Sequence, residues 1–261
     1  MVKQLLLVAG LLAGSPGHAG LRDAPPQLFI TTEYAPPAIM VEGERVAGYS
    51  SDKIHEIMAR TGMSYSIDVL PWKRAFTSAV QRPNGCVYAT TRTPEREPLF
   101  KWVGPTDEGA WVLLGRADRN YQLSTLEDAR RLRIGTYNGD VRDDYLRARG
   151  FKVDPAPNDM LNPQKLLMNR IDLWATGLRP GGGVLEQNGF AGKIVPVLVF
   201  NQVKAYLACN RAVPDAIIDK MNAALDAMNR DGTSRRIERK YDNWAPRKAS
   251  EAEAGQAGPV R

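Results

Sequence analysis

Three side chains stand just past predicted strands, where a ligand can reach them. Tyr34 follows the first apolar run after residue 26, and Thr90 and Thr91 close another such run. Ligands of open α/β sheets bind beyond the carboxyl ends of the strands. Arg96 comes shortly after Thr91, and its guanidinium suits a carboxylate because it can donate two parallel hydrogen bonds. The alternative for Arg96 is a surface ion pair with one of the glutamates beside it.

Trp72 and Arg74 begin a predicted helix that follows a second strand. The indole of Trp72 offers a wall for an apolar or cationic part of a ligand. It could equally belong to the hydrophobic core, because Ala75 and Phe76 lie beside it in the same helix. Arg74 faces either the ligand or solvent.

A further candidate anion site is the segment Asn138-Gly139-Asp140, which leads into a predicted helix. The free N–H groups and the positive dipole end of a helix N-terminus can hold an anionic group. Asp140 has a second role open to it, that of the N-cap of the same helix.

Catalytic signatures are absent from the sequence. After residue 19 the chain has one histidine, His55, within a predicted helix between Ile54 and Glu56. No Ser-His-Asp set, zinc-binding spacing, P-loop or dinucleotide fingerprint is present. We therefore predict no catalytic residue, no metal and no cofactor.

The composition is that of an ordinary globular protein. Of 261 residues, 43% are hydrophobic and 25% charged, and 35 Lys and Arg exceed 29 Asp and Glu by 6. The basic residues are scattered rather than clustered, which argues against a nucleic-acid partner. No run approaches the roughly 18 apolar residues that span a bilayer.

The first 19 residues are typical of a secretory signal peptide. Lys3 precedes the apolar run 5–13, Pro16 breaks it, and Gly17-His18-Ala19 is a small-x-small cleavage site. No cysteine that could carry a lipid precedes Cys86. We expect a soluble, unanchored periplasmic protein. An oxidising compartment allows Cys86 and Cys209 to pair, and the alternative is two buried thiols.

Strands and helices alternate along the chain, which predicts an α/β fold with mainly parallel pairing. One alternating unit covers the region up to residue 91, and a second follows from residue 111. The most regular helical pattern is 214–229, with apolar residues on one face. We expect residues 247–261, which are rich in Ala, Glu and Gly, to be a disordered tail.

Six short motifs occur in a characteristic order between residues 28 and 244. They are Tyr34-Ala35-Pro36-Pro37, Gly48-Tyr49-Ser50-Ser51-Asp52, Pro71-Trp72-Lys73-Arg74-Ala75, Thr93-Pro94-Glu95-Arg96, Gly135-Thr136-Tyr137-Asn138-Gly139-Asp140 and Arg170-Ile171-Asp172. With these motifs the chain resembles the family 3 bacterial periplasmic solute-binding proteins, of the polar amino acid uptake type.

The resemblance implies a two-lobed periplasmic-binding-protein-like fold of type II. Each lobe would be a mixed, mainly parallel sheet flanked by helices, and two hinge strands would join the lobes. We place lobe 1 at 27–107 plus 203–246 and lobe 2 at 108–202. The ligand would be clamped between the lobes by hinge closure.

The resemblance also assigns roles to residues. The arginine that matches Arg96 grips the ligand carboxylate, Thr91 would add a hydroxyl, and Tyr34 and Trp72 would be aromatic walls. Family members that bind amino acids usually place an acid shortly after the Arg-Ile-Asp motif to hold the ligand ammonium.

This chain departs from that last feature, because no acid lies between Asp172 and Leu178, and Thr176 offers a hydroxyl without a charge. Either Asp172 or another acid substitutes, or the ligand is not a standard α-amino acid. In the implied topology Cys86 and Cys209 lie on antiparallel neighbouring strands, so a Cys86–Cys209 disulfide is predicted.

The function that this resemblance implies is capture of a small carboxylate-bearing, amino-acid-like ligand and its delivery to an ABC-type transporter. The alternatives are an enzyme on the same fold, of the cyclohexadienyl dehydratase type, and a sensory module for a membrane receptor. An enzyme would need a carboxyl group as general acid, for which Glu33 and Asp172 are the candidates. We expect a monomer with a membrane permease or receptor as partner.

Overall fold

The computed structural model describes residues 27–178 and 189–242. Three predicted segments lie outside these ranges: the signal peptide at 1–19, the end of lobe 1 at 243–246 and the tail at 247–261. A helix that the sequence predicts near 184–187, after the glycine run 181–183, also lies outside them.

The first unit of the fold contains three parallel strands and two helices. Its elements are β1 (Leu28–Thr32), β2 (Met40–Glu42), β3 (Arg45–Ala47), α1 (Tyr49–Thr61), β4 (Tyr65–Val69), α2 (Trp72–Gln81) and β5 (Gly85–Thr91). β1 pairs in parallel with both β4 and β5. The hairpin of β2 and β3 stands between β1 and α1, and the sequence analysis did not predict it.

Helix α1 shows why these segments fold as they do. The helix ends at Gly62, which has the left-handed conformation (φ 65°) and whose backbone N–H donates to the Ala59 carbonyl. The pair Ser51-Asp52 before the apolar positions predicts a helix cap there, but the helix begins earlier, at Tyr49, and Asp52 lies in its first turn. Three apolar side chains at helical spacing are buried: Ile54, Ile57 and Met58.

The second unit repeats this arrangement. Its elements are β7 (Arg133–Tyr137), α3 (Val141–Ala148), β8 (Lys152–Ala156), α4 (Asn162–Leu167) and β9 (Leu173–Leu178). β7 pairs in parallel with β8 and with β9. The apolar runs at 151–153 and 171–175 predict strands there, and the observed strands β8 and β9 both begin and end later than these runs. Helix α3 and its cap Asp140 lie where the sequence predicts them.

Two long antiparallel strands join the units. β6 (Phe100–Arg116) and β10 (Ile194–Asn210) are each 17 residues long and pair with each other along their whole length. The apolar runs 111–114, 194–200 and 205–210 predict only shorter strands, and the structure joins the last two into one. β10 pairs with β5 from Ala205 onward, whereas β6 pairs with β9 from Ala110 onward.

These strands carry the chain from one half of the sheet to the other. The single eight-stranded sheet has the order β4-β1-β5-β10-β6-β9-β7-β8. We call the half around β1, β4 and β5 lobe 1 and the half around β7, β8 and β9 lobe 2. The two-lobed α/β fold with two hinge strands is therefore confirmed, and the predicted lobe boundaries fall inside β6 and β10.

Two C-terminal helices return to lobe 1. α5 (Asp215–Arg230) buries Ile218, Met221, Leu225 and Met228 along one face, as its periodicity predicts. The shorter α6 (Thr233–Arg239) packs beside α5 and α1. The main hydrophobic core of lobe 1 therefore contains side chains from both ends of the described chain.

A disulfide lies at the junction of β5 and the second hinge strand. Cys86 and Cys209 are cross-strand partners and are bonded to each other, and both are fully buried. The bond links two segments that are separated by 123 positions in the sequence. No helix within 27–178 or 189–242 is long and apolar enough to cross a membrane.

Candidate functional site

Two connected cavities lie between the lobes. The inner chamber has a volume of about 200 Å³ and the outer chamber one of about 680 Å³. Because both are bounded by residues of lobe 1 and lobe 2, they form one cleft with an inner and an outer part. Seven residues line both chambers: Glu33, Ala38, Tyr49, Trp72, Tyr137, Arg142 and Gly177.

Arg96 lines the inner chamber and is 8% exposed. Its guanidinium lies 4.9 Å from the Phe76 ring centroid and 5.6 Å from that of Trp72, and Nη1 donates to the Thr91 carbonyl at 3.2 Å. Burial lowers its pKa, although the Asp140 charge opposes this effect. Within the described residues Arg96 forms no ion pair, so the surface pairing considered above is not observed.

The two threonines at the end of β5 have different surroundings. Thr91 lines the inner chamber. Thr90 is fully buried and its hydroxyl donates to the Val87 carbonyl at 3.1 Å, so its side chain belongs to the interior. The predicted assignment of Thr90 to the ligand site is therefore corrected. Thr90 and Thr91 differ because successive side chains of a strand point to opposite faces.

The wall beside Arg96 contains a β-bulge that the sequence did not reveal. Tyr88 and Ala89 of β5 together oppose Leu207 of β10, since the register shifts between these strands. Ala89 lines the inner chamber and has φ 56°, an uncommon value for a residue other than glycine. The strained backbone therefore lies at the cleft, where such conformations often accompany binding.

Trp72 belongs both to the cleft and to a hydrophobic cluster. It lines both chambers while being 6% exposed. Its Nε1 donates to the Gly139 carbonyl at 2.9 Å, which links lobe 1 to lobe 2. Gly139 has φ 79°, and a Cβ there would lie 3.2 Å from the Lys73 Cβ, so glycine permits this close approach.

Arg74 and Asn138 do not face the cleft. Arg74 is exposed and lines a separate surface hollow with Gln81, because residues two positions apart in a helix, like Trp72 and Arg74, point in different directions. Asn138 is exposed, and its N–H bonds to the Ala156 carbonyl. The predicted ligand-binding roles of Arg74 and Asn138 are therefore corrected.

Asp140 caps helix α3 and pairs with Arg142 inside the cleft. Its carboxylate accepts from the Arg142 backbone N–H at 3.0 Å and from Arg142 Nε at 2.9 and 3.0 Å. Burial raises the pKa of Asp140, and the Arg142 charge opposes this effect. The pair is therefore a fixed part of the inner wall, and Arg142 is a cleft cation that the sequence analysis missed.

A carboxyl–phenol contact crosses the cleft where the chambers meet. Glu33 follows β1 in lobe 1, and its Oε1 accepts from the Tyr137 hydroxyl of lobe 2 at 2.6 Å. Burial raises the pKa of Glu33 to about 7, despite the opposing effect of the Tyr137 hydrogen bond. Burial also raises the pKa of Tyr137 well above its usual value, so the phenol remains the donor.

The outer chamber contains an acid that the sequence analysis overlooked. Asp159 accepts from Trp174 Nε1 at 2.7 Å, from Thr176 Oγ1 at 3.0 Å and from Asn162 Nδ2 at 3.0 Å. Thr176 therefore lines the cleft, but its hydroxyl donates a hydrogen bond to Asp159. Tyr34 lines the same chamber and is 54% exposed.

Asp172 lies at the other end of the sheet. It precedes β9, and its Oδ2 accepts from the backbone N–H of Arg133, the first residue of β7, at 2.8 Å. Because β7 and β9 are parallel and β7 ends in the cleft at Tyr137, this is the amino end of both strands. Asp172 is thus neither a substitute for the missing acid nor a candidate general acid, which corrects both assignments.

A buried lysine supports the hinge side of the inner chamber. Lys53 of α1 is 2% exposed, and its Nζ lies 2.9 Å from Asp107 Oδ1 and 2.6 Å from Glu238 Oε1. Asp107 lines the chamber and also accepts from the Ser50 hydroxyl at 2.9 Å. This network fixes β6 against α1 and α6 and was not visible in the sequence pattern.

The comparison with known families decides the classification. The model of the bacterial extracellular solute-binding proteins, family 3, matches residues 28–243. The chain belongs to this family. The resemblance carried by the six motifs is thereby confirmed. None of the curated proteins matches the chain significantly.

Several solved structures share the fold of this solute-binding protein. A histidine kinase sensor domain with similarity to periplasmic binding proteins is 16% identical, with a TM-score of 0.77 over 87% of this chain and 100% of that one. A mutant of ArgBP from T. maritima is 18% identical, with a TM-score of 0.73 over 82% and 94% of the two chains. The GluR0 ligand-binding core from Nostoc punctiforme, in complex with L-glutamate, is 20% identical, with a TM-score of 0.70 over 82% and 98%. At such identities these likenesses show the fold alone.

Proposed function

We propose that this protein captures a small, carboxylate-bearing, amino-acid-like molecule in the periplasm and delivers it to an ABC-type transporter. Membership of the solute-binding family supports the binding role. The observation that carries the choice of ligand is Arg96, a nearly buried guanidinium beside the inner chamber without an acidic partner among the described residues. A buried cation is costly unless it is paired, and a ligand carboxylate would pair it.

The aromatic side chains around Arg96 favour this role. Phe76 and Trp72 hold the guanidinium by cation–π contacts, which leaves its remaining N–H groups for a ligand. Thr91 adds a hydroxyl on the same wall. Glu33, where the chambers meet, and Asp159, in the outer chamber, are acids that can supply the negative charge that the acid after the Arg-Ile-Asp motif supplies in other family members.

Hinge closure is the proposed mechanism. Trp72 and Glu33 of lobe 1 both bond to lobe 2, so these contacts exist only when the lobes are together. A ligand that touches both lobes binds the closed form better than the open form and shifts the population toward it. A transporter would then recognise the closed, loaded protein.

A thermal-shift screen of the purified protein tests the ligand class. The probes are L-arginine and L-glutamate, each beside the matched compound without the α-ammonium group, 5-guanidinopentanoate and glutarate. A ligand at about 100 times its dissociation constant adds about 2.7 kcal/mol to the free energy of unfolding. We expect a shift that Arg96→Ala abolishes and that the matched surface variant Arg74→Ala retains. No shift with any probe, or a shift retained by Arg96→Ala, contradicts the proposal.

A sensory role is the second candidate, because the fold of a histidine kinase sensor domain matches 87% of this chain. A sensor and a transport receptor share the same ligand-dependent closure. The neighbouring genes separate them: a permease gene favours transport, and a histidine kinase gene favours sensing.

A further inference from the structure

Glu33 lines the cleft and, unlike the other described acids there, has a single neutral hydrogen-bond donor as its described contact. It lines both chambers, lies at the end of β1 in lobe 1, and contacts lobe 2 through the hydroxyl of Tyr137. Any ligand that reaches from Arg96 toward the outer chamber passes alongside this contact. Glu33 is therefore placed to touch the middle of a bound molecule.

The other acids that line the cleft already have partners among the described residues. Asp107 pairs with Lys53, Glu108 with Lys204, and Asp140 with Arg142. Asp159 accepts hydrogen bonds from Trp174, Thr176 and Asn162. Glu33 alone among these five acids has a single neutral donor as its described contact.

Burial, together with the surrounding charges, places the ionisation of Glu33 near neutral pH. Burial has the largest effect and raises its pKa to about 7, the Tyr137 hydrogen bond and the Arg142 charge lower it, and the charges of Asp159 and Asp140 raise it. Small changes in the cleft therefore decide whether this carboxyl group keeps its proton.

We propose that the protonation state of Glu33 selects the ligand. The ionised form of Glu33 binds a carboxylate that bears an ammonium group, and the neutral form binds a carboxylate that lacks one. This inference rests on the proposed carboxylate site at Arg96. A ligand carboxylate neutralises Arg96 in both cases. An added ammonium group needs one more negative charge, and Glu33 provides it by releasing its proton to solvent.

The opposite case follows from the same charge count. A carboxylate without ammonium brings no cation to balance an ionised Glu33, so its complex keeps the proton, and the neutral carboxyl group can also donate a hydrogen bond. The two ligand classes should thus respond to pH in opposite directions, because each binds one protonation state.

Isothermal titration calorimetry at pH 6 and pH 8 measures this directly. The probes are the pairs L-glutamine with 4-carbamoylbutanoate and L-glutamate with glutarate, whose members differ in the α-ammonium group and carry no other cation. For a group that titrates near pH 7, we expect the amino acid to bind about tenfold more tightly at pH 8 than at pH 6. We expect the matched ammonium-free compound to bind about tenfold more weakly at pH 8. Titrations at pH 7 in buffers of different ionisation enthalpy measure the protons exchanged on binding. We expect about half a proton to be released when the amino acid binds and about half a proton to be taken up when the ammonium-free compound binds.

Two variants isolate Glu33. Glu33→Gln removes the titration, so both pH responses and both proton exchanges should vanish, with the ammonium-free compound keeping its pH 6 affinity. Glu44→Gln, on an exposed residue of the β2–β3 hairpin, is the matched control and should behave like the wild type.

The outcomes separate this inference from the proposed function. Binding of either class with no pH response, or a pH response that survives in Glu33→Gln, overturns the inference and leaves the carboxylate site standing. Binding of no probe at either pH overturns the proposed function and the inference with it. Opposite pH responses that Glu33→Gln abolishes support both.

Discussion

At the scale of single side chains, the proposed ligand site depends on the shape of the Arg96 guanidinium as well as on its charge. The planar group lies against Phe76 and Trp72, and it points toward the inner chamber from a nearly buried position. Lysine keeps the charge but has neither the flat surface nor the paired donors.

We predict that Arg96→Lys weakens the binding of a confirmed ligand by about 10- to 100-fold, the loss expected for charge-assisted hydrogen bonds. Calorimetric titration measures the affinity, and circular dichroism checks that the variant is folded. Arg74→Lys, on the same lobe but outside the cleft, should bind like the wild type. Equal affinities for Arg96→Lys and Arg74→Lys would show that the guanidinium is not the carboxylate contact.

Glu33 also allows a prediction that needs no ligand. Its pKa in the folded protein, about 7, lies above the ordinary value of 4.5. The folded state therefore binds more protons than the unfolded state between these values, and stability falls as the pH rises through this window. The contribution of Glu33 is favourable at low pH and is lost by about pH 8.

We expect Glu33→Gln to lose less stability than the wild type between pH 5 and pH 8, by up to about 3 kcal/mol for a shift of this size. Urea unfolding at the two pH values measures the difference, and Glu44→Gln is the control. Parallel pH dependences for wild type and Glu33→Gln would mean that the carboxyl group titrates normally.

At the scale of helices and strands, the disulfide between β5 and β10 ties together distant parts of the chain. It closes a loop of more than 100 residues, for which the loss of unfolded-state entropy amounts to about 4–5 kcal/mol in the chain-entropy model. Both cysteines are fully buried, so a reductant reaches the bond only when the strands separate.

We predict that the double variant Cys86→Ser and Cys209→Ser is less stable than the oxidised protein by about 2–5 kcal/mol. Urea unfolding under oxidising conditions gives this difference. Thiol counting on the denatured, unreduced wild type should find neither cysteine free. Two free thiols would contradict the pairing.

The Lys53 network connects three elements around the hinge side of the cleft. Removing one partner of a buried ion pair leaves the other charges unpaired, which costs about 3 kcal/mol or more. Lys53→Met should therefore lower the free energy of unfolding by about that amount. The exposed pair of Lys204 and Glu108, 3.5 Å apart on the hinge strands, provides the comparison.

We expect Lys204→Met to change stability by less than about 1 kcal/mol, since exposed ion pairs contribute little. Urea unfolding of both variants at pH 7 makes the comparison. If Lys53→Met is no more harmful than Lys204→Met, the buried network does not hold the hinge strands in place.

Much of the secondary structure could be predicted because burial leaves a periodic pattern. Helix α5 is marked by Ile218, Met221 and Leu225, and α3 by its cap Asp140. The hinge strands could not be recognised as single elements. Where they cross between lobes, residues such as Asp107 and Gln202 have no continuous core beside them, so the apolar pattern is interrupted.

The site was predictable only in part. Arg96, Thr91 and Trp72 lie in the cleft because their motifs follow the carboxyl ends of lobe 1 strands. Asp172 was misplaced because its motif precedes a strand. Asp159 escaped notice because only the fold brings its short 3-10 helix (Asp159–Leu161) next to Thr176.

At the scale of the whole molecule, two hydrogen bonds across the cleft favour the closed arrangement. Trp72 to Gly139 is one, and its loss removes about 1 kcal/mol, which changes a two-state ratio about fivefold. We predict that Trp72→Phe without ligand has a larger radius of gyration by X-ray scattering than the wild type, because more molecules are open.

Trp102→Phe is the matched control for this experiment. The Trp102 indole nitrogen is buried without a hydrogen-bond partner in the described structure, so its removal should not affect closure. Addition of a confirmed ligand should bring Trp72→Phe back toward the wild-type profile. Scattering profiles that are the same for all three proteins would show that the indole does not hold the lobes together.

The strand order also has a consequence for the order in which the protein can form during synthesis. β7, β8 and β9 lie between the hinge strands in the sequence, so the ribosome delivers the lobe 2 strands as one uninterrupted piece. The second edge of β5, by contrast, is paired only once the last part of β10 has been made. The core of lobe 1 is likewise incomplete until α5 has been made. A purified fragment that ends near residue 200 should therefore protect the amides of β7 against hydrogen exchange more strongly than those of β5, although β5 comes first in the sequence.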